Sequence, residues 1–199
     1  MRRVGVSVLA AARAPLSVEQ VLAACVAMDG QAHRVMLPGV ADPRQARPLA
    51  GTWSALVEVA RDLSAGGVDV VVDVGRLGHR SEPSVWLEAA DLLAVVVRGE
   101  LSTVLPAAAA VRALGAARAA RSGVVGVVVD PDPYSTAEIA SALGVADVLT
   151  LPRDARAARA LMNGASGGWL DRSPLMRSAR SLVQRLTDLV PDVTPAVAR

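Results

Sequence analysis

Lysine is absent from the 199 residues, so all 21 basic side chains are arginine. The chain therefore holds neither a P-loop lysine nor a Schiff-base amine. Phenylalanine is absent too, and with heavy use of alanine, valine and arginine this points to GC-rich coding. Cys25 is the single cysteine, which excludes an intrachain disulfide and makes a cytoplasmic location the expectation. Its own reading is a small hydrophobe on a helix. Only two histidines occur, His33 and His79, and neither has a Cys, His or carboxylate at metal-site spacing. No Ser-His-Asp or Cys-His set is legible either.

Excess charge and long apolar runs are also missing. Against 21 arginines stand 19 carboxylates, a net charge of +2 that gives no indication of a nucleic-acid partner. No run approaches the roughly 18 apolar residues of a membrane span. The start, Met1 to Ala12, has the outline of a signal peptide, but Arg13 and Pro15 interrupt it, so a strand and turn are expected there.

What is present is hydrophobic: 52% of the residues, enough for one sizeable core. The central stretch is Val68 to Gly75, an almost continuous valine run ending in Asp73 and Gly75. It predicts a strand buried on both faces with Asp73 at its carboxyl end. Asp69 precedes the apolar part and reads as a solvated entry residue.

In chain order, Val4 to Leu9 predicts a first strand, and Pro15 with Ser17 starts a helix that runs to about Met28. His33 to Leu37 reads as a short strand, and Pro38 to Pro48 as an exposed loop. Thr52 is positioned to cap a helix with Trp53, Leu56, Val57, Ala60 and Leu63 on one face. Beyond the valine run come a polar loop, Arg76 to Ser81, and a short helix near Pro83 to Ala90. Leu92 to Val97, Val124 to Val129 and Asp147 to Leu151 predict three further strands. Helices are expected over Leu101 to Ala120, Thr136 to Leu143, Asp154 to Met162 and Pro174 to Val190. Pro106 marks either a kink or the true first turn of the Ala-rich helix.

This alternation predicts an α/β fold of three layers, a mostly parallel sheet flanked by helices, in a single domain over 1–190 with a flexible tail at 191–199. Parallel strands would gather Asp73 to Arg76, Arg98-Gly99, Asp130 to Asp132 and Leu151 to Asp154 at one edge, where open α/β sheets bind ligands. Hydrophobic residues followed by Asp73 fit a Walker B pattern that positions Mg²⁺, and equally an Asp that caps its own loop. Arg76 and Arg98 fit an anion contact or a solvated surface. Gly164 to Gly168 lacks the preceding strand of a phosphate loop. In the last helix Leu175, Ala179, Leu182, Val183, Leu186 and Val190 share one side, which suits docking on the sheet or lying on a membrane surface.

Four motifs now fall in a familiar order: Val68-Asp-Val-Val-Val-Asp-Val-Gly-Arg-Leu, Ala89-Ala-Asp-Leu-Leu-Ala-Val-Val-Val-Arg, Gly123-Val-Val-Gly-Val-Val-Val-Asp, and Leu143-Gly-Val-Ala-Asp-Val-Leu-Thr-Leu-Pro-Arg-Asp. Together they resemble the later two thirds of MinD/ParA-type ATPases, a deviant-Walker branch of the P-loop NTPases, and most of all its divergent actinobacterial members. The likeness runs from about Val4 to Leu189. It implies a switch that dimerises around ATP and Mg²⁺ and positions chromosomes, septum regulators, or pilus and secretion machinery. By resemblance Asp73, with Gly75 after it, is the Walker B aspartate and the metal-side residue. Pro152 and Asp154 match the loop beside the base, and Asp130 stands where many members have an adenine-reading Asn.

The chain departs from that family at its start, where a Gly-rich Walker A loop with lysine is expected and none occurs. Phosphate binding in that fold rests on the loop's N–H groups, a helix amino end and the lysine charge. The resemblance therefore implies a positioning protein whose nucleotide site is degenerate or cut short by a late start codon, with little ATP hydrolysis of its own. The other reading is a nucleotide-independent scaffold that keeps the fold and a homodimer or protein-partner surface. A Rossmann-type enzyme would need a glycine fingerprint after the first strand, where Leu9 to Arg13 stands instead.

Overall fold

The computed structural model describes residues 4–12, 14–40, 49–79, 82–115 and 123–190. The expected tail at 191–199, most of the Pro38 to Pro48 loop and the end of the Ala-rich helix lie outside them. The described residues divide into two compact units, one ending at Ala89 and one beginning at Ala90.

The first unit is mainly helical. Val4 to Leu9 does not form the expected strand: α1 spans Val6–Leu9 as a single helical turn. Gly5 sets this up with φ at +97°, a backbone state that favours glycine, and a Cβ there would lie 2.9 Å from the Pro38 carbonyl oxygen. The Gly5 N–H instead donates to Ala24 and the Val6 N–H to Pro38. Helix α2, Val18–Ala24, is shorter than expected and opens on a capping box between Ser17 and Gln20. Cys25 closes it half-buried, its Sγ donating to the Val21 carbonyl at 3.2 Å, and burial pushes its thiol pKa up.

A two-residue antiparallel pair follows, β1 Val26–Ala27 with β2 Val35–Met36. The Asp29 carboxylate gathers the turn between them by accepting from the N–H groups of Gln31, His33 and Arg34. Helix α3, Ala50–Ala65, starts two residues before Thr52, and α4 spans Ser84–Ala89. Leu56, Val57 and Val59 of α3 are all buried, so its covered arc is wider than the stripe expected from sequence. Leu56 and Val59 join Val6, Leu9, Val21, Ala24 and Leu49 in one apolar cluster.

The second unit carries the sheet: β3 Leu92–Arg98, β4 Gly123–Val129 and β5 Asp147–Leu151, parallel and ordered β3-β4-β5. Helix α5, Leu101–Ala113, follows β3 and α6, Thr136–Leu143, follows β4. After β5 come α7 Ala155–Met162, the short α8 Gly168–Asp171 and α9 Pro174–Leu189. The protein is thus α/β with a three-stranded parallel sheet flanked by helices. Pro106 lies inside α5, five residues beyond its first position.

Register explains the packing. Val95 pairs with Gly126 and Val97 with Val128, and this face receives Leu143 of α6. A Cβ on Gly126 would sit 3.1 Å from Leu143 Cδ1 and 3.0 Å from Val148 Cγ2, so glycine permits the close approach of helix to strand. Val125 and Val127, on the opposite face, are also buried, so β4 is covered on both sides. On edge strand β3 the same face leaves Val96 66% exposed. Helix α9 lies along β5 as expected of a docked helix, although none of its residues is fully buried.

The largest correction concerns Val68 to Gly75. This stretch pairs with no described strand, and Val71 is 96% exposed. Both its ends are committed locally. Gly66 and Gly67, with φ at +81° for Gly67, close α3, and the Val68 N–H reaches back to the Leu63 carbonyl at 3.0 Å. At the other end the Gly75 N–H donates to Asp73 Oδ1 at 2.8 Å.

Two predictions follow from this packing. Leu143 has no exposed surface, so Leu143→Ala should cost about 2–5 kcal/mol; an unchanged urea midpoint would contradict the description of the core. In α6 the Ser135 backbone N–H and hydroxyl both donate to Glu138, holding its carboxyl pKa below the usual value. A lowered folded pKa stabilises above the unfolded value of about 4.3 and loses that contribution as pH falls through the folded one. The thermal midpoint of the wild type should therefore exceed that of Glu138→Ala at pH 7, and the gap should shrink below about pH 4.

Candidate functional site

At the carboxyl edge of the sheet the chain is drawn together by its own backbone. The Asp130 N–H donates to the Leu151 carbonyl at 3.0 Å, which ties the end of β4 to the end of β5. The Gly99 N–H is shared between the carbonyls of Val129 and Asp130, at 3.3 and 3.2 Å, and ties in β3. Thr103 of α5 adds a brace, its hydroxyl within hydrogen-bond reach of the carbonyls of Arg98 at 2.8 Å and Glu100 at 3.1 Å.

Two residues make this join possible. A Cβ on Gly99 would fall 2.4 Å from the Asp130 carbonyl oxygen and 2.6 Å from Pro131, so no other residue fits without moving the backbone. Asp130 takes φ at +59°, a left-handed state that Asp and Asn tolerate better than other side chains. The conformation at the end of β4 thus accounts for an Asp at this position. The Pro131 carbonyl then accepts from the Tyr134 N–H, and Ser135 opens α6.

The five residues singled out from sequence divide between the units. Asp130, Pro152 and Asp154 lie in the second unit, at or just beyond the ends of β4 and β5. Asp73 and Gly75 lie in the first and end no strand. Asp73 is exposed with Oδ1 held by the Gly75 N–H, and Gly75 has φ at +74°. Asp154 is the N-cap of α7, its side chain accepting from the Ala157 N–H at 2.9 Å. Pro152 is half-buried. Arg76 and Arg98 are both exposed.

Local order at these positions comes from the chain itself. Among the described residues no group of three or more His, Cys, Asp or Glu side chains is placed to hold a metal ion. Asp73 and Asp154 each spend an oxygen on a nearby backbone N–H, and no lysine exists to meet a phosphate. The residues present thus fit a Mg²⁺-nucleotide poorly. No described helix is long and apolar enough to cross a membrane.

Sequence reasoning placed Gly99 as the end of a strand and missed its close approach to Asp130. A glycine after a strand carries no mark of which backbone it will meet. It also missed the Arg156 guanidinium stacked 4.3 Å from the centre of the Trp169 ring, which links α7 to α8. Thirteen residues separate the two, beyond any helical spacing.

The join yields a direct test. Gly99→Ala should destabilise the fold by about 1–3 kcal/mol by overpacking, while Asp130→Asn, which keeps a residue tolerant of positive φ, should stay within about 0.5 kcal/mol of wild type. Equal urea midpoints for Gly99→Ala and the wild type would contradict the close approach. Comparisons of the chain with family models, with curated proteins and with solved structures found no match to any of them.

Proposed function

We propose that this chain is a positioning or partitioning protein of MinD/ParA type that works by protein contact and does not turn over ATP by itself. The observation that carries the reading is how its carboxylates are used. By resemblance Asp73 and Asp154 would serve a nucleotide site, and here each holds a backbone N–H two or three residues away. An aspartate in either arrangement organises its own turn or helix start.

The exposed valines support contact with a protein. Val68, Val70, Val71 and Val72 are between 39% and 96% exposed, and between them the chain makes no strand pairing with any described residue. A β-branched run that joins no strand ladder among the described residues is suited to strand addition, in which main-chain hydrogen bonds give affinity and alternate side chains give selectivity. The partner is a second copy of this chain or another protein, and the chain serves as its scaffold. ATP and Mg²⁺ belong to the competing form of this proposal, in which the carboxyl edge still holds nucleotide.

Calorimetric titration with ATP and Mg²⁺ separates the two forms. The expected result is no heat and no thermal stabilisation at millimolar ATP, with Asp73→Ala indistinguishable from wild type. Micromolar binding that Asp73→Ala weakens would overturn the proposal and restore the nucleotide switch.

A further inference from the structure

A second feature lies where α9 runs along β5. The two elements enclose a shallow groove of about 340 Å³. Its polar lining is Thr150 from β5 with Arg177, Ser178, Ser181 and Arg185 from α9, set beside two leucines. Every side-chain polar group in that lining is a hydroxyl or a guanidinium, and no carboxylate among the described residues lines it.

Charge is distributed along the chain to match. Residues 151–190 hold seven arginines and three aspartates, whereas residues 1–150 hold 13 arginines and 15 carboxylates. The three aspartates of the basic segment are already engaged. Asp154 caps α7, Asp171 lies 3.8 Å from Arg180, and Asp188 accepts from Gln184 at 3.3 Å. Arg177 spends one N–H on the Arg172 carbonyl and keeps its others, and Arg185 makes no side-chain hydrogen bond or ion pair with a described residue.

We propose that this groove between α9 and β5 binds a small phosphate-bearing anion, held by Arg177 and Arg185 with the hydroxyls of Thr150 and Ser178. Guanidinium groups bind phosphate oxygens through paired N–H donors, and hydroxyls supply the remaining contacts. Arg177 and Arg185 start about 12 Å apart along the helix axis, and both line the groove. A diphosphate suits that span better than a single phosphate, which one arginine would satisfy. The groove is lined by none of the residues of the strand-end join, and the proposal does not depend on the function proposed above.

The test uses inorganic pyrophosphate with the full chain, followed by calorimetry at low ionic strength. Binding should be detectable in the millimolar range or tighter. Arg177→Gln and Arg185→Gln should each weaken it about tenfold, and Arg61→Gln, a control in the first unit, should leave it unchanged. Both substituted arginines are exposed, so circular dichroism should report an intact fold. Absence of binding at millimolar pyrophosphate would overturn the proposal, as would an Arg185→Gln affinity equal to wild type. Loss on Arg98→Gln with Arg185→Gln unaffected would place the anion at the strand ends and overturn it too. Binding to vesicles of anionic phospholipid without any binding of pyrophosphate would assign the arginines to a membrane surface instead.

Discussion

The constraint on which the second unit depends is the double coverage of β4. A strand flanked on both edges and packed on both faces can carry no polar side chain without a partner, and Gly123 to Val129 carries none. Burial of Val125, Val127 and Val128 contributes about 1.5–3 kcal/mol for each side chain. The close approach at Gly126 completes the arrangement, because a side chain there would separate α6 from the strand and open the space that Leu143 fills. Once β4 is fixed, β3 and β5 follow from its register, and their ends meet at Gly99, Asp130 and Leu151.

That dependence explains which parts of the fold were legible in the sequence. The strands at Leu92, Gly123 and Asp147 and the helices between them were readable because their signals agree at several levels. Ser135 and Glu138 form the capping box of α6, Gly144 ends it with φ at +72°, and Ser173 with Pro174 opens α9. The Val68 to Gly75 run carries an equally strong apolar signal and does not become a strand. Composition says that a segment suits burial, but a strand also needs a neighbour with unpaired backbone groups. The two glycines before Val68 close α3 and the Asp73 turn takes up the other end, so local caps claim the backbone at both limits. Val4 to Leu9 failed for a related reason, since Gly5 turns the chain where a strand would have continued.

The candidate site was legible only as a set of positions. Asp130, Pro152 and Asp154 do stand at or just past strand ends, as the order of elements implied. Their chemistry was not legible, because an Asp at a strand end is written the same way whether it holds a metal, caps a helix or adopts positive φ. Asp154 caps and Asp130 turns. The distinction depends on where backbone N–H groups lie, which is a property of the folded chain.

The same reasoning explains why the arginines divide as they do. Where guanidinium groups have a local partner, as in Arg34 with Asp29 or Arg180 with Asp171, they fasten a turn or a helix end and remain exposed. Such surface pairs contribute little to stability, about 0–1 kcal/mol. Arg185 has no such partner among the described residues, and the nearest carboxylate along its helix, Asp188, is turned to Gln184. A cationic side chain that fastens none of the described residues, set beside hydroxyls, keeps its hydrogen-bonding capacity for a ligand. In a chain without lysine and with only two histidines, arginine is the main source of cationic contacts. A planar guanidinium donates two parallel N–H bonds to two oxygens of one oxyanion, which makes phosphate oxygens better suited to this groove than a halide or an isolated carbonyl.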